Sequence, residues 1–173
     1  MSKSTDLLLN LEQYRQSLCR LVADLMLKKQ FYLATAESCT GGLIAAACTD
    51  LAGSSQWFDR GFVTYSNAAK TDMLGVGAAL IVQFGAVSEP VAAAMAQGAV
   101  KHSAAQVAVA VTGVAGPTGG SAEKPLGTVW IAWHVNGQTS TQLCHFDGDR
   151  ATVRALTVQQ ALQGLVERLE RLS

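Results

Sequence analysis

The segment 31–51 runs Phe31-Tyr32-Leu33-Ala34-Thr35-Ala36, then Glu37-Ser38-Cys39-Thr40-Gly41-Gly42, then Leu43-Ile44-Ala45-Ala46-Ala47-Cys48-Thr49-Asp50-Leu51. The first part is apolar and too short for a helix, the second is a polar turn with paired glycines, and the third is rich in good helix formers. Together they predict strand, tight turn and helix, a junction at which open α/β sheets bind their ligands.

The plan repeats downstream. Gly53-Ser54-Ser55 closes the first helix, residues 61–65 form a second strand, and Ser66-Asn67 offers an N-cap to a helix carrying Lys70 and Met73. Ser88-Glu89-Pro90 sets an N-cap serine and a first-turn proline ahead of a helix to about residue 103. Residues 106–112 are a valine-rich buried strand, and 113–126 a long loop. Segments 127–135 and 138–146 flank Asn136-Gly137, a strong hairpin signal, and Asp149 caps a last helix over 150–172. Upstream, Leu7, Leu11, Tyr14, Leu18, Leu21, Val22 and Leu25 recur at helical spacing over residues 6–29. The expected fold class is α/β: a single domain over 1–173, a three-layer α/β/α sandwich whose mixed sheet ends in an antiparallel hairpin.

Lysine plus arginine and aspartate plus glutamate stand at 13 each, without a basic run interleaved with aromatics, so no nucleic-acid partner is expected. The 49% hydrophobic and 15% charged fractions leave a sparingly charged surface, which suggests a homo-oligomer. Cys19, Cys39, Cys48 and Cys144 lack CxxC spacing, which points to reduced thiols, a cytoplasmic setting and no metal. The first ten residues lack a signal-peptide pattern, and no uncharged stretch reads as a membrane span. No cofactor motif appears: GxxxxGK[ST] and GxGxxG are both missing.

Three polar clusters fall at strand ends: 38–42, 65–70 and 112–127. At a helix start, Ser38 followed by Thr40, Gly41 and Gly42 places a hydroxyl beside backbone N–H groups able to hold an oxyanion, although an ordinary N-cap reads the same way. Serine needs a base. His102, His134 and His145 lie away from these junctions, whereas Lys70 sits in a first helical turn, where side chains lean back toward the strand end. Half-neutrality at pH 7 requires the ammonium to be disfavoured by about 4 kcal/mol relative to water, most of it from burial. Tyr65 is placed to bond the serine or the amine and relay a proton. The loop beginning Thr112-Gly113 offers backbone donors to a phosphate or sugar, and Arg150 a bidentate partner for phosphate. Cys39, beside Ser38, is a second candidate nucleophile.

Residues 36–42, Tyr65-Ser66-Asn67 with Lys70, 85–90, 113–117 with Gly119-Gly120, 124–129 and Gly148-Asp149-Arg150 together resemble the CinA C-terminal family, whose stand-alone members are nicotinamide-nucleotide amidases. The resemblance implies a three-layer α/β/α fold and metal-free hydrolysis of nicotinamide mononucleotide to nicotinic acid mononucleotide and ammonia. It implies Ser38 as nucleophile, Tyr65 and Lys70 as its activating pair, and Thr112 and Arg150 as substrate contacts. Longer family members carry a further N-terminal domain; with roughly thirty residues before the first strand, none is expected here. Two rival readings are an oxidoreductase built on the Tyr/Lys pair, against which the missing glycine fingerprint counts, and a non-catalytic accessory protein of competence or DNA-damage response.

Overall fold

The computed structural model describes the backbone of residues 3–172 and the side chains of residues 10–172. Helix α1 (Lys3–Lys29) leads into β1 (Leu33–Glu37) and α2 (Leu43–Thr49), and a 3-10 turn (Ser54–Gln56) precedes β2 (Phe58–Val63). Three helices follow, α3 (Asn67–Leu74), α4 (Ala78–Phe84) and α5 (Glu89–Lys101), then β3 (Val107–Gly113), β4 (Thr128–Val135), β5 (Gln138–His145) and α6 (Arg150–Glu170).

The five strands form one mixed sheet in the order β2-β1-β3-β4-β5. β1 runs parallel to both β2 and β3, while β4 and β5 are antiparallel additions. The β4–β5 turn uses Asn136 and Gly137 with φ of 47° and 85°, the double positive φ that lets a two-residue turn match strand twist.

Side-chain alternation along the strands separates the two faces. Leu33, Val107, Val109, Val111, Ile131 and Trp133 pack against α1, α2 and α6, whereas Ala34, Ala36, Ala108, Ala110 and Ala132 face α3, α4 and α5. The second face is nearly all alanine, so its helices approach closely. A Cβ on Gly98 of α5 would lie 2.1 Å from the Leu74 carbonyl oxygen at the end of α3. The three-layer α/β/α architecture is the one expected, and β1, α2 and α3 place the first two polar clusters at the same sheet edge.

Several local expectations change. β1 extends to Glu37, and β2 begins at Phe58 and stops at Val63, which leaves Thr64 and Tyr65 in the following loop. α2 begins at Leu43 behind Gly42 at φ 102°, so Ser38 lies before the helix rather than at its cap. Helix α4 has no counterpart in the sequence reading. Ser88 stands at the N-cap of α5 as expected, but its side chain makes no cap bond: the hydroxyl donates to Gly85 O at 2.8 Å. Ser66 and Asp149 cap α3 and α6 as expected, accepting from Ala69 N and Thr152 N. In α1 the buried stripe is Leu18, Cys19, Val22, Ala23 and Met26, while Tyr14 and Leu21 are exposed; the side chain of Leu7 lies outside the described residues.

Candidate active site

Ser38 follows β1, Lys70 sits in the first turn of α3, and their side chains meet. The capped turn holds Lys70 leaning back along its helix, where Nζ lies 3.0 Å from Ser38 Oγ and 2.9 Å from Thr64 O. Lys70 is only 1% exposed. Among the described residues the ion pairs are Arg15–Glu12 and Arg60–Asp59, so no carboxylate neutralises the lysine. Burial therefore pushes its amine below the ordinary lysine range, with Cys39 opposing weakly. The partner count agrees. An ammonium has three donors against two acceptors here, whereas a neutral amine donates to Thr64 O and accepts the Ser38 hydroxyl on its lone pair.

Cys39 is buried beside this pair, and burial, reinforced by the Glu37 carboxylate, pushes its thiol up to about 11. At neutral pH it is a thiol and a poor nucleophile.

Glu37, a residue the sequence reading did not single out, organises the turn. Its fully buried carboxylate accepts from Thr40 Oγ1 at 2.6 Å, from Gly42 N and Ile44 N at 3.0 Å each, and from Ala45 N at 2.8 Å. The Gly41 N–H donates to Ser38 O at 3.1 Å. These bonds bear on the expected roles of Thr40, Gly41 and Gly42. Their side chain or amides are spent inside the turn and none of the three lines the cleft, while the N–H groups of Cys39 and Thr40 have no acceptor among the described residues.

A cleft of about 220 Å³ opens onto the Ser38–Lys70 pair, lined also by Cys39, Tyr65, Asn67, Thr112, Gly113 and Arg150. No histidine lines it. Tyr65 is 61% exposed, and its hydroxyl accepts from Arg150 Nη2 at 3.0 Å, so the expected bond to Ser38 or Lys70 is absent. Arg150, the first residue of α6, also donates to Gly116 O at 2.8 Å and closes one side of the mouth. Thr112 reaches the cleft, but its hydroxyl donates to Ala86 O at 2.9 Å, tying β3 to the loop before α5. Gly113 is packed from behind: a Cβ there would lie 2.7 Å from Val129 Cγ2. Of the expected glycine-rich cradle, Pro117 to Gly120 instead line a separate open hollow with Pro125 and Leu126. Sequence reasoning missed Asn67 as a lining residue; its place beside the Ser66 cap at a strand end was the available signal.

Among the described residues no three His, Cys, Asp or Glu side chains are grouped to hold a metal, and no helix is long and apolar enough to cross a membrane. A serine hydroxyl against a buried lysine amine, with the free Cys39 N–H beside it, is an arrangement able to support acyl transfer.

Comparison with known proteins gives the same direction. Nicotinamide-nucleotide amidohydrolase PncC of Escherichia coli is 55% identical over 76% of this chain and 80% of its own length, and its Pseudomonas putida namesake 56% identical over 77% and 83%. A CinA-like protein of Akkermansia muciniphila is 54% identical over 78% of this chain, but the chain spans only 33% of that longer protein. The crystal structure of the competence/damage inducible protein CihA from Agrobacterium tumefaciens superposes with a TM-score of 0.86 at 48% identity, covering 91% of this chain and 96% of that one. The family model of the CinA C-terminal domain matches residues 15–169. The chain belongs to the CinA C-terminal domain family.

Proposed function

We propose that the chain is an amidohydrolase that cuts ammonia from the carboxamide of nicotinamide mononucleotide, with Ser38 as nucleophile and Lys70 as general base. The observation that carries the reading is the 3.0 Å contact between Ser38 Oγ and a lysine amine buried without a counter-ion. Relatives of more than half identity that bear the nicotinamide-nucleotide amidohydrolase name support this choice of substrate.

Neutral Lys70 takes the Ser38 proton as Oγ attacks the carboxamide carbon. The oxyanion rests on the Cys39 N–H, which lines the cleft, in place of the expected donors over Thr40 to Gly42. Protonated Lys70 returns its proton to the departing nitrogen, the C–N bond breaks and ammonia leaves. Water, deprotonated by the same amine, cleaves the acyl-serine and releases nicotinic acid mononucleotide. Tyr65 and Arg150 at the mouth, with Thr112 and Gly113 on the wall, bind the ribose phosphate rather than move protons. In this reading the enzyme acts in the cytoplasm in pyridine nucleotide recycling.

The test is ammonia release from nicotinamide mononucleotide, nicotinamide riboside, the dinucleotide and free nicotinamide. The mononucleotide should have the highest kcat/KM and lose its advantage over the riboside in Arg150→Ala; indifference to the phosphate would contradict the assignment.

A further inference from the structure

We propose that Glu37 is a positioning residue for this reaction, its carboxylate wrapping the 38–42 loop around itself so that Ser38 Oγ meets Lys70 and the Cys39 N–H stays free for the substrate. The inference rests on Ser38 as nucleophile.

A glutamate at the end of a central strand is costly to bury unless its charge is fully bonded. Glu37 meets that condition with four donors, from residues three, five, seven and eight positions ahead of it. Such a pattern has two consequences. It draws a loop containing two left-handed glycines, Gly41 and Gly42 at φ 61° and 102°, into one conformation and so fixes the backbone from which Ser38 projects. It also places a full negative charge on the N-terminus of α2, where the unpaired amides and dipole are positive. The helix end is thereby closed to a substrate anion, and the oxyanion is left to the Cys39 amide beside Ser38.

The main chain of Glu37 joins the same network. Its carbonyl accepts from Thr64 N at 2.9 Å, and Thr64 O in turn accepts from Lys70 Nζ at 2.9 Å. One residue thus ties the nucleophile loop to the loop that seats the base. Glu37 touches no reacting atom; it acts through Ser38 and the neighbouring Cys39 amide.

Glu37→Gln keeps the shape but turns an NH₂ group toward donors that need an acceptor, so at least one of the four bonds is lost. Two readouts are compared with wild type, well below each variant's melting midpoint: steady-state ammonia release from nicotinamide mononucleotide, and the rate at which a small fluorophosphonate labels Ser38. Displacement of a nucleophile by about an ångström costs about 100-fold, so kcat and labelling rate should both fall by about that factor with KM within about threefold. Thr40→Val, which removes one hydroxyl donor and folds more readily, should lose roughly fivefold in both. Because the phosphonate reports on Ser38 whatever the natural substrate, the labelling ratio decides the proposal even where the substrate reading fails. Folded Glu37→Gln or Thr40→Val protein with wild-type kcat and labelling would overturn it, as would a loss confined to KM.

Discussion

Replacing Lys70 by methionine separates the buried amine from every other candidate base. Met fills nearly the same volume along the same first-turn path, so the packing of α3 against α5 survives, while Thr64 O loses its donor and Ser38 Oγ its side-chain partner. No other ionisable group stands within hydrogen-bond distance of Ser38 Oγ among the described residues, so nothing substitutes for the lost base. General-base catalysis contributes about 10²–10⁴-fold, and with no understudy the upper half applies, about 10³–10⁴-fold or roughly 4–5.5 kcal/mol of barrier. Tyr65→Phe removes only an exposed hydroxyl bonded to Arg150, and should cost no more than about tenfold, chiefly in KM. The assay is ammonia release over a pH series. In wild type kcat should fall about tenfold per pH unit on the acid limb, because protonation disables the amine. That limb should lie below the ordinary lysine value of 10.5, since burial favours the neutral form. In Lys70→Met the limb should vanish with the activity. A Lys70→Met enzyme within tenfold of wild type, or a Tyr65→Phe enzyme worse than Lys70→Met, would refute the assignment of the base.

Three further outcomes follow from the same packing and hydrogen bonds. Gly98→Ala places a methyl against the Leu74 carbonyl and must push α3 outward; overpacking costs about 2–3 kcal/mol, which should appear as a melting point lower by roughly 4–12 °C, with a parallel fall in kcat as Lys70 shifts. Cys39→Ala should keep kcat within about threefold, and wild-type turnover should resist iodoacetamide at pH 7, because a thiol held near 11 is unreactive there; rapid inactivation by alkylation of Cys39 with loss of chemistry would contradict this. Arg150→Ala should raise KM for the phosphorylated substrate about tenfold while leaving kcat nearly intact, measured by initial rates.

The strand-turn-helix around Ser38, the Asn136-Gly137 turn and the Ser66 and Asp149 caps were legible because each depends on a few adjacent residues and a fixed backbone demand. Lys70 was legible for a related reason: the direction of a first-turn side chain follows from helix geometry. Glu37 was not. Its role depends on a chain reversal that carries residues 40–45 back over its carboxylate, and by pattern alone a glutamate ending a strand reads as solvent-facing. The Tyr65 hydroxyl bonds Arg150 rather than Ser38 or Lys70 because β2 stops at Val63 and the loop beyond turns the ring outward. Helix α4, seven residues between Gly77 and Gly85, is too short to show a helical period. The Thr112 hydroxyl, assigned to substrate, is claimed by Ala86 O, a contact made only when a distant loop packs onto the end of β3.

The most direct measurement of the central claim is the location of the acyl group. Enzyme quenched in acid during turnover of nicotinamide mononucleotide, digested and analysed by mass spectrometry, should carry a substrate-minus-ammonia adduct on the peptide containing Ser38, and Ser38→Ala should release no ammonia and form no adduct. Undiminished ammonia release from folded Ser38→Ala, or an adduct on Cys39 instead, would contradict it.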